Sequence, residues 1–253
     1  MRHWSKARLW DELAQIWTVA SKDVRVYYLT PPMIMFGLLM PFFLFFSFSI
    51  RRGMGPAAGL ARLLALNTFF TASSAGPVII PLERRARTYD RLLVAPMSLV
   101  SLLLGKTLVG AFFAVSVALV SLVGGLLLHV PVAHLGWVIL GVMLVSGSFA
   151  AFGLIFGSFP SSSVGGIMMP STLLRWPLLF ISGIFIPLEE MSPWARALSY
   201  ISPLTYAQDL MNHAVLDRGV IPLVVDVVVL LLSVGLFLIP AIKLHHRSKV
   251  LGY

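Results

Sequence analysis

Cysteine is missing from all 253 residues, so the chain offers no disulfide framework, thiolate nucleophile or cysteine metal site. Acidic residues are scarce too: ten Asp and Glu stand against nineteen Lys and Arg, and charged residues make up only 11 % of the chain. Glu189 and Glu190 are neighbours without a nearby histidine, which leaves no convincing carboxylate pair for acid–base work. The six histidines form no HExxH pattern, and no serine elbow is present. His245 and His246 are adjacent in a basic tail, where they are expected to be solvated; neighbouring helical residues do not share a face as metal ligands must. Neither a catalytic residue nor a metal site is expected from these patterns.

What the chain has instead is length of apolar sequence. Hydrophobic residues reach 58 % and mean hydropathy is +0.91, values of an integral membrane protein rather than a soluble domain. A hydrocarbon core about 30 Å thick needs roughly 20 apolar residues of helix. Six segments satisfy this, 32–50, 60–82, 107–128, 135–157, 164–186 and 222–242, and what joins them is mostly short. The first span has no ionisable group but is too long, and lacks the small-residue cleavage site, for a removable signal sequence. The expected fold is therefore all-α, with six membrane helices in a single domain covering 1–253.

Six spans put both ends of the chain on one side. That side carries Arg2, Lys6, Arg8, Lys22 and Arg25, then Arg84, Arg85, Arg87 and Arg91, then Lys243, Arg247 and Lys249. The other side has Arg51, Arg52, Arg196 and Arg218, with Arg62 at a span end. The positive-inside bias predicts a multi-pass protein of the cell membrane with both termini cytoplasmic. Anionic lipid headgroups account for the net charge of +9, with no need of nucleic acid.

Before the first span, Trp10, Leu13, Trp17, Ala20, Val24 and Tyr27 recur at spacings of three and four, predicting an amphipathic helix over 9–27 that lies in the headgroup layer. The connections 51–59 and 129–134 are too short to form domains. In the loop 157–164, Gly157 ends one helix and Pro160 bars its continuation. Residues 187–221 are divided by Pro187, Pro193 and Pro203, and Ser192-Pro193 is a helix start. Short helices lying at or dipping into the outer surface are expected there, with Trp194, Tyr200 and Tyr206 as interfacial aromatics.

The nearest approach to a nucleotide motif is VSLLLGKT at 100–107. A phosphate loop needs glycine where Val100 stands, and three leucines fill its middle, so it is rejected. Lys106 is expected to snorkel to the headgroups. Among polar groups inside the spans, Arg175 and Asp226 pair if their helices adjoin, or line a substrate path; Arg175 has the further option of reaching a break in its own helix beside Pro177. Asn67, Thr68, Thr71, Ser73 and Ser74 make a polar stretch in the second span, for interhelical hydrogen bonds or for a translocation route.

The densest charge is ERRARTYDR, 83–91, six charges in nine positions between two apolar runs. Pro81 and Pro96 predict a discrete short helix over 83–94, with Ser98 capping the third span. Both signs of charge and the apolar tip Leu92, Leu93 and Val94 suit a docking element better than a loose orientation signal.

Glu83, Arg84, Thr88, Arg91, Leu92, Leu93, Ala95 and Pro96, followed by Gly105-Lys106, closely resemble a run found in permease subunits of ABC-2 type exporters. FISGIFIPLEEMSPWARALSYISPLTYAQDL, 180–210, resembles the family's second signature. The resemblance spans essentially the whole chain and implies an N-terminal interfacial helix, six spans, a coupling helix between spans two and three, and re-entrant helices over 187–221. It implies that Glu83, Arg84, Arg85, Arg87, Thr88, Asp90 and Arg91 meet a separate cytoplasmic ABC ATPase, which binds ATP and Mg. It also implies a second permease copy, identical or related, and an outward pathway for an amphipathic or lipid-like substrate, with Asn67, Thr68, Thr71, Arg175 and Asp226 as lining candidates. Arg85, Ala86 and Tyr89 depart from the commonest pattern. The competing reading is a secondary transporter or channel without an ATPase, which needs protonatable groups along a path; Asp226 is the only deep carboxylate.

Overall fold

The computed structural model describes residues 6–27, 30–49, 55–159 and 161–250. Arg2, Arg51, Arg52 and Pro160 lie outside them. The described residues contain helices and connections but no strand. In order these are α1 (Lys6–Tyr27), α2 (Pro31–Met33), a π-helical stretch Ile34–Leu39, α3 (Met40–Ser49), α4 (Pro56–Arg85), α5 (Thr88–Val94), α6 (Leu99–Leu127), α7 (Leu135–Gly157), α8 (Val164–Ile181), a 3₁₀ turn Leu188–Glu190, α9 (Pro193–Ser199), α10 (Pro203–Leu216) and α11 (Leu223–Val250). Five helices, α4, α6, α7, α8 and α11, are long and apolar enough to cross a membrane. A sixth span arises if α1 and the run through α2 and α3, bent by 92° from one another, are taken together. This is an all-α integral membrane fold.

α4 is the axle, and its composition explains why. It packs on α6, α7, α8, α10 and the π-helical stretch, and 94 % of its apolar window is buried inside the chain. A helix enclosed on all sides needs small residues where neighbours cross. At Gly76 an added Cβ would meet the Gly153 carbonyl oxygen at 2.7 Å, and at Gly153 it would meet the Ser73 carbonyl oxygen at 2.5 Å. Two glycines thus let α4 and α7 approach backbone to backbone.

The lateral faces of α8 and α11 stay largely uncovered, as lipid-facing helices do. Met169, Leu173, Val224, Leu232 and Leu236 are exposed. On α1 the apolar stripe divides: Trp10, Leu13 and Trp17 face outward, while Ala20 and Tyr27 are buried with Ala75, Val109 and Phe113.

α10 is wedged among α4, α7 and α11, burying Leu204, Ala207, Leu210, Met211 and Ala214. Its last carbonyls would be orphans. Ala133 and His134 donate their backbone N–H groups to Val215 and Ala214 at 3.1 and 2.8 Å, so the 129–134 connection closes that helix end. Trp194 on α9 and Ile201 just beyond it are exposed, as interfacial residues should be.

The third helix begins at Leu99 as the Ser98 cap predicts, the Ser98 hydroxyl accepting from Ser101 N–H at 2.9 Å. Pro81 does not end the second span. α4 runs through Pro77 and Pro81 to Arg85, and the break falls at Arg87, which is left-handed with φ 55°. The stretch 83–94 is therefore the last turn of a long helix, a tight turn, and a seven-residue helix.

Candidate functional site

The charged stretch sorts into an inner and an outer set. Glu83 is fully buried, Arg84 is partly buried, and Tyr89 is only 2 % exposed. Arg85, Arg87, Asp90, Arg91 and Val94 are exposed, and Thr88 is intermediate. The left-handed turn at Arg87 separates α5 from the end of α4.

Glu83 anchors the inner set. Its Oε1 accepts from Lys22 Nζ at 2.6 Å and its Oε2 from Lys106 Nζ at 2.5 Å. Asp23, also fully buried, faces the same two lysines: Lys106 donates to its Oδ2 at 3.0 Å, and Lys22 lies 2.7 Å from its Oδ1. Two acids and two bases from α1, α4 and α6 close a neutral ring. Lys106 is 2 % exposed, so it does not snorkel to the headgroups. Gly105 beside it makes the ring possible, since an added Cβ there would meet Val19 at 2.9 Å and the Ile16 carbonyl at 3.0 Å.

Arg84 turns inward as well. It donates to the Phe159 carbonyl at the end of α7, and its guanidinium lies 5.2 Å from the centre of the Tyr89 ring. Tyr89 seats α5 among Ile80, Leu102, Leu103 and Ala241. Burial pushes its phenol up to about 12, with the Arg84 charge opposing. The Thr88 hydroxyl donates back to the Glu83 carbonyl at 3.2 Å. His245 is buried on the same end, with Nδ1 2.9 Å from the Ala241 carbonyl, and is not a solvated tail residue.

All five pathway candidates are packed inside the chain, between 0 and 2 % exposed. Asn67 donates to Ser121 on α6 at 2.8 Å, Thr71 to the Gly37 carbonyl in the π-helical stretch, and Thr68 back to Leu64 at 2.7 Å. No ion pair joins Arg175 and Asp226; α8 and α11 each rest on α7 and α10. Arg175 does reach a proline break, but in α4. Pro77 has no N–H to give the Ser73 carbonyl four residues earlier. Arg175 Nη2 donates to that carbonyl, and Nη1 donates to the Ser74 hydroxyl at 3.1 Å. Asp226 instead lies with Asp209 and His213 at the far end of the bundle.

Sequence reasoning missed Lys22, Asp23 and Lys106 as partners of Glu83. The one available signal was Asp23 set between Lys22 and Arg25 at the membrane end of the interfacial segment. It also missed Asp209 and His213, whose spacing of four puts both on one helical face.

The fold and site define a multi-pass helical membrane protein with a buried ionic base and a short helix projecting from it. The ABC-2 type transporter family model matches residues 14–216, and the chain belongs to that family. It is 24 % identical over 164 residues to the probable multidrug ABC transporter permease YbhR of Escherichia coli K12, covering 64 % of this chain and 44 % of that one. It is 26 % identical over 169 residues to the inner membrane transport permease YadH of the same organism, covering 64 % of each. A shorter match, 36 % over 59 residues, is to the ABC multidrug transporter A-2 of Aspergillus fumigatus. The chain thus spans less than two thirds of the length of the bacterial relatives it matches.

Proposed function

We propose that this chain is the membrane subunit of an ABC exporter, driven by a separate cytoplasmic ATPase that binds ATP and Mg²⁺, with a second permease copy completing the pathway. Both termini lie in the cytoplasm in this reading, and the substrate is amphipathic or lipid-like. The observation that carries it is the split in the charged stretch. Glu83 and Arg84 are spent on internal bonds, whereas Arg85, Arg87, Asp90, Arg91 and Val94 project from the end of the bundle. A mixed-charge, apolar-tipped surface on a firmly seated helix suits a protein partner better than a headgroup layer, which needs only positive charge.

Seating matters mechanically. A push on α5 passes through Tyr89 and the Glu83 ring into α1, α4 and α6 together, because the same side chains join all of them. The buried polar groups Asn67, Thr71 and Arg175 then act as interhelical locks, and face substrate only if the helices part.

The test is a co-purified permease–ATPase complex in lipid nanodiscs. Arg87→Glu with Arg91→Glu should leave assembly of the bundle intact and cut substrate-stimulated hydrolysis and export by roughly tenfold, the scale of losing a few interface charges. Export and stimulation equal to wild type would sink the docking assignment. With no native cysteine, Thr88→Cys and Asp217→Cys report sidedness in intact cells; labelling of position 88 from outside would overturn the orientation.

A further inference from the structure

The end of the bundle opposite α5 holds a second ionic cluster with different chemistry. Asp209 and His213 lie one turn apart on α10, and Asp226 enters from the first turn of α11. Each offers one ligand atom, and these atoms all lie within 4.8 Å of one another. Asp226 is fully buried, and neither of its carboxylate oxygens has a hydrogen-bond partner. A buried carboxylate without donor or cation is costly, and such groups are found paired or on metals.

The surroundings hold the cluster in place. Asp209, itself 1 % exposed, accepts from Val220 N–H at 3.0 and 3.1 Å and from Ile221 N–H at 2.8 Å, which fixes its carboxylate. His213 Nε2 is 2.7 Å from the Ile221 carbonyl and 3.7 Å from Asp209 Oδ2. Gly219 lies flat against the ring, where an added Cβ would come within 2.0 Å of Nε2. Backbone donors orienting a carboxylate are a support that metal ligands need. Arg62 and Glu189 line a small cavity together with Asp209.

We propose that Asp209, His213 and Asp226 bind a divalent metal ion of the zinc class, tying α10 to α11. One imidazole and two carboxylates suit zinc and its neighbours better than magnesium or calcium, which prefer oxygen alone. A central ion with bonds of about 2.0–2.2 Å needs only small side-chain rotations to collect atoms this close. It would satisfy the unpartnered Asp226 carboxylate. The site is independent of the ATPase-docking reading and shares no residue with it.

The experiment uses the full chain, purified through a non-histidine tag, stripped with chelator and equilibrated with zinc. Metal content after gel filtration should be about one zinc per chain. Asp226→Asn and His213→Gln should fall below about a tenth of that, while His134→Ala, altering the exposed His134–Asp217 pair on the same end, should retain it. Cobalt loaded in place of zinc should give visible d–d absorption in the wild type that His213→Gln abolishes; this readout stands even if Asp226→Asn folds poorly. Wild-type chain that retains no zinc, or zinc content unchanged in His213→Gln, overturns the proposal, as does retention of calcium or magnesium in preference to zinc. A wild-type chain that binds no zinc at all, and is matched in stability by Asp226→Asn, would identify Asp226 as a protonated, neutral acid instead.

Discussion

The two ends of the bundle treat buried carboxylates in opposite ways. Asp23 and Glu83 each face both Lys22 and Lys106, and that ring is electrically complete. Asp226 is just as buried, yet its oxygens meet no donor, and the acid and imidazole beside it offer no fixed positive charge. A completed cluster is a structural joint; an incomplete one is a place where something else must enter. Ionisable residues in a membrane protein therefore cannot be read from burial alone, and the partner count decides.

The strongest way to break this comparison is to open the closed end. Glu83→Ala leaves two lysines against one acid in a buried setting, and losing one member of such a pair costs about 3–5 kcal/mol. It should appear as a large drop in the thermal midpoint of the purified chain. Glu83→Met with Lys106→Met leaves the Lys22–Asp23 pair neutral and should recover most of the loss. If the single and double variants were equally unstable, packing rather than charge would hold this end.

A smaller effect is expected at Arg175, a buried cation satisfied by neutral acceptors. Arg175→Met should cost about 1–3 kcal/mol by orphaning the Ser73 carbonyl. In a Pro77→Ala background the restored backbone N–H serves that carbonyl, and the cost of Arg175→Met should shrink, which a double-mutant cycle on unfolding measures.

At the open end the sign should differ. In chelator, Asp226→Asn should be neutral or stabilising by up to about 1 kcal/mol, since it removes an unpartnered charge-bearing group. In zinc the wild type should become the more stable of the two. A loss in chelator as large as that of Glu83→Ala would erase the contrast between the ends.

The smallest change belongs to the exposed charges. Arg91→Glu should shift stability by no more than about 0.5 kcal/mol, as surface substitutions do, while altering the response of a bound ATPase. Melting temperature and stimulated hydrolysis, measured on one preparation, separate the two.

Much of this was legible in the chain. Apolar runs located the membrane helices, Ser98 and Ser192-Pro193 marked real helix starts, and the density of charge at 83–91 pointed to the right region. What the sequence hid was which charges face inward. Glu83 and Lys106 are 23 residues apart, and Asp23 and Lys106 are 83 apart, so no local pattern announces their bond. Helix continuity through Pro81 was hidden for a similar reason: tertiary enclosure of α4 overrides the local cost of proline. Arg175 was legible as special, but its acceptor lies 102 residues away at a break made by a different proline.

The ring of Lys22, Asp23, Glu83 and Lys106 has an electrical consequence. One elementary charge crossing the full membrane potential exchanges about 2.3 kcal/mol per 100 mV. Because the four side chains sum to zero and move as a unit, their ends of α1, α4 and α6 can tilt or slide with almost no work against that field. Arg175 has no acidic partner among the described residues, so its displacement along the membrane normal would be felt by the voltage. The ring is therefore electrically silent, whereas any motion of α8 along the membrane normal carries the Arg175 charge with it.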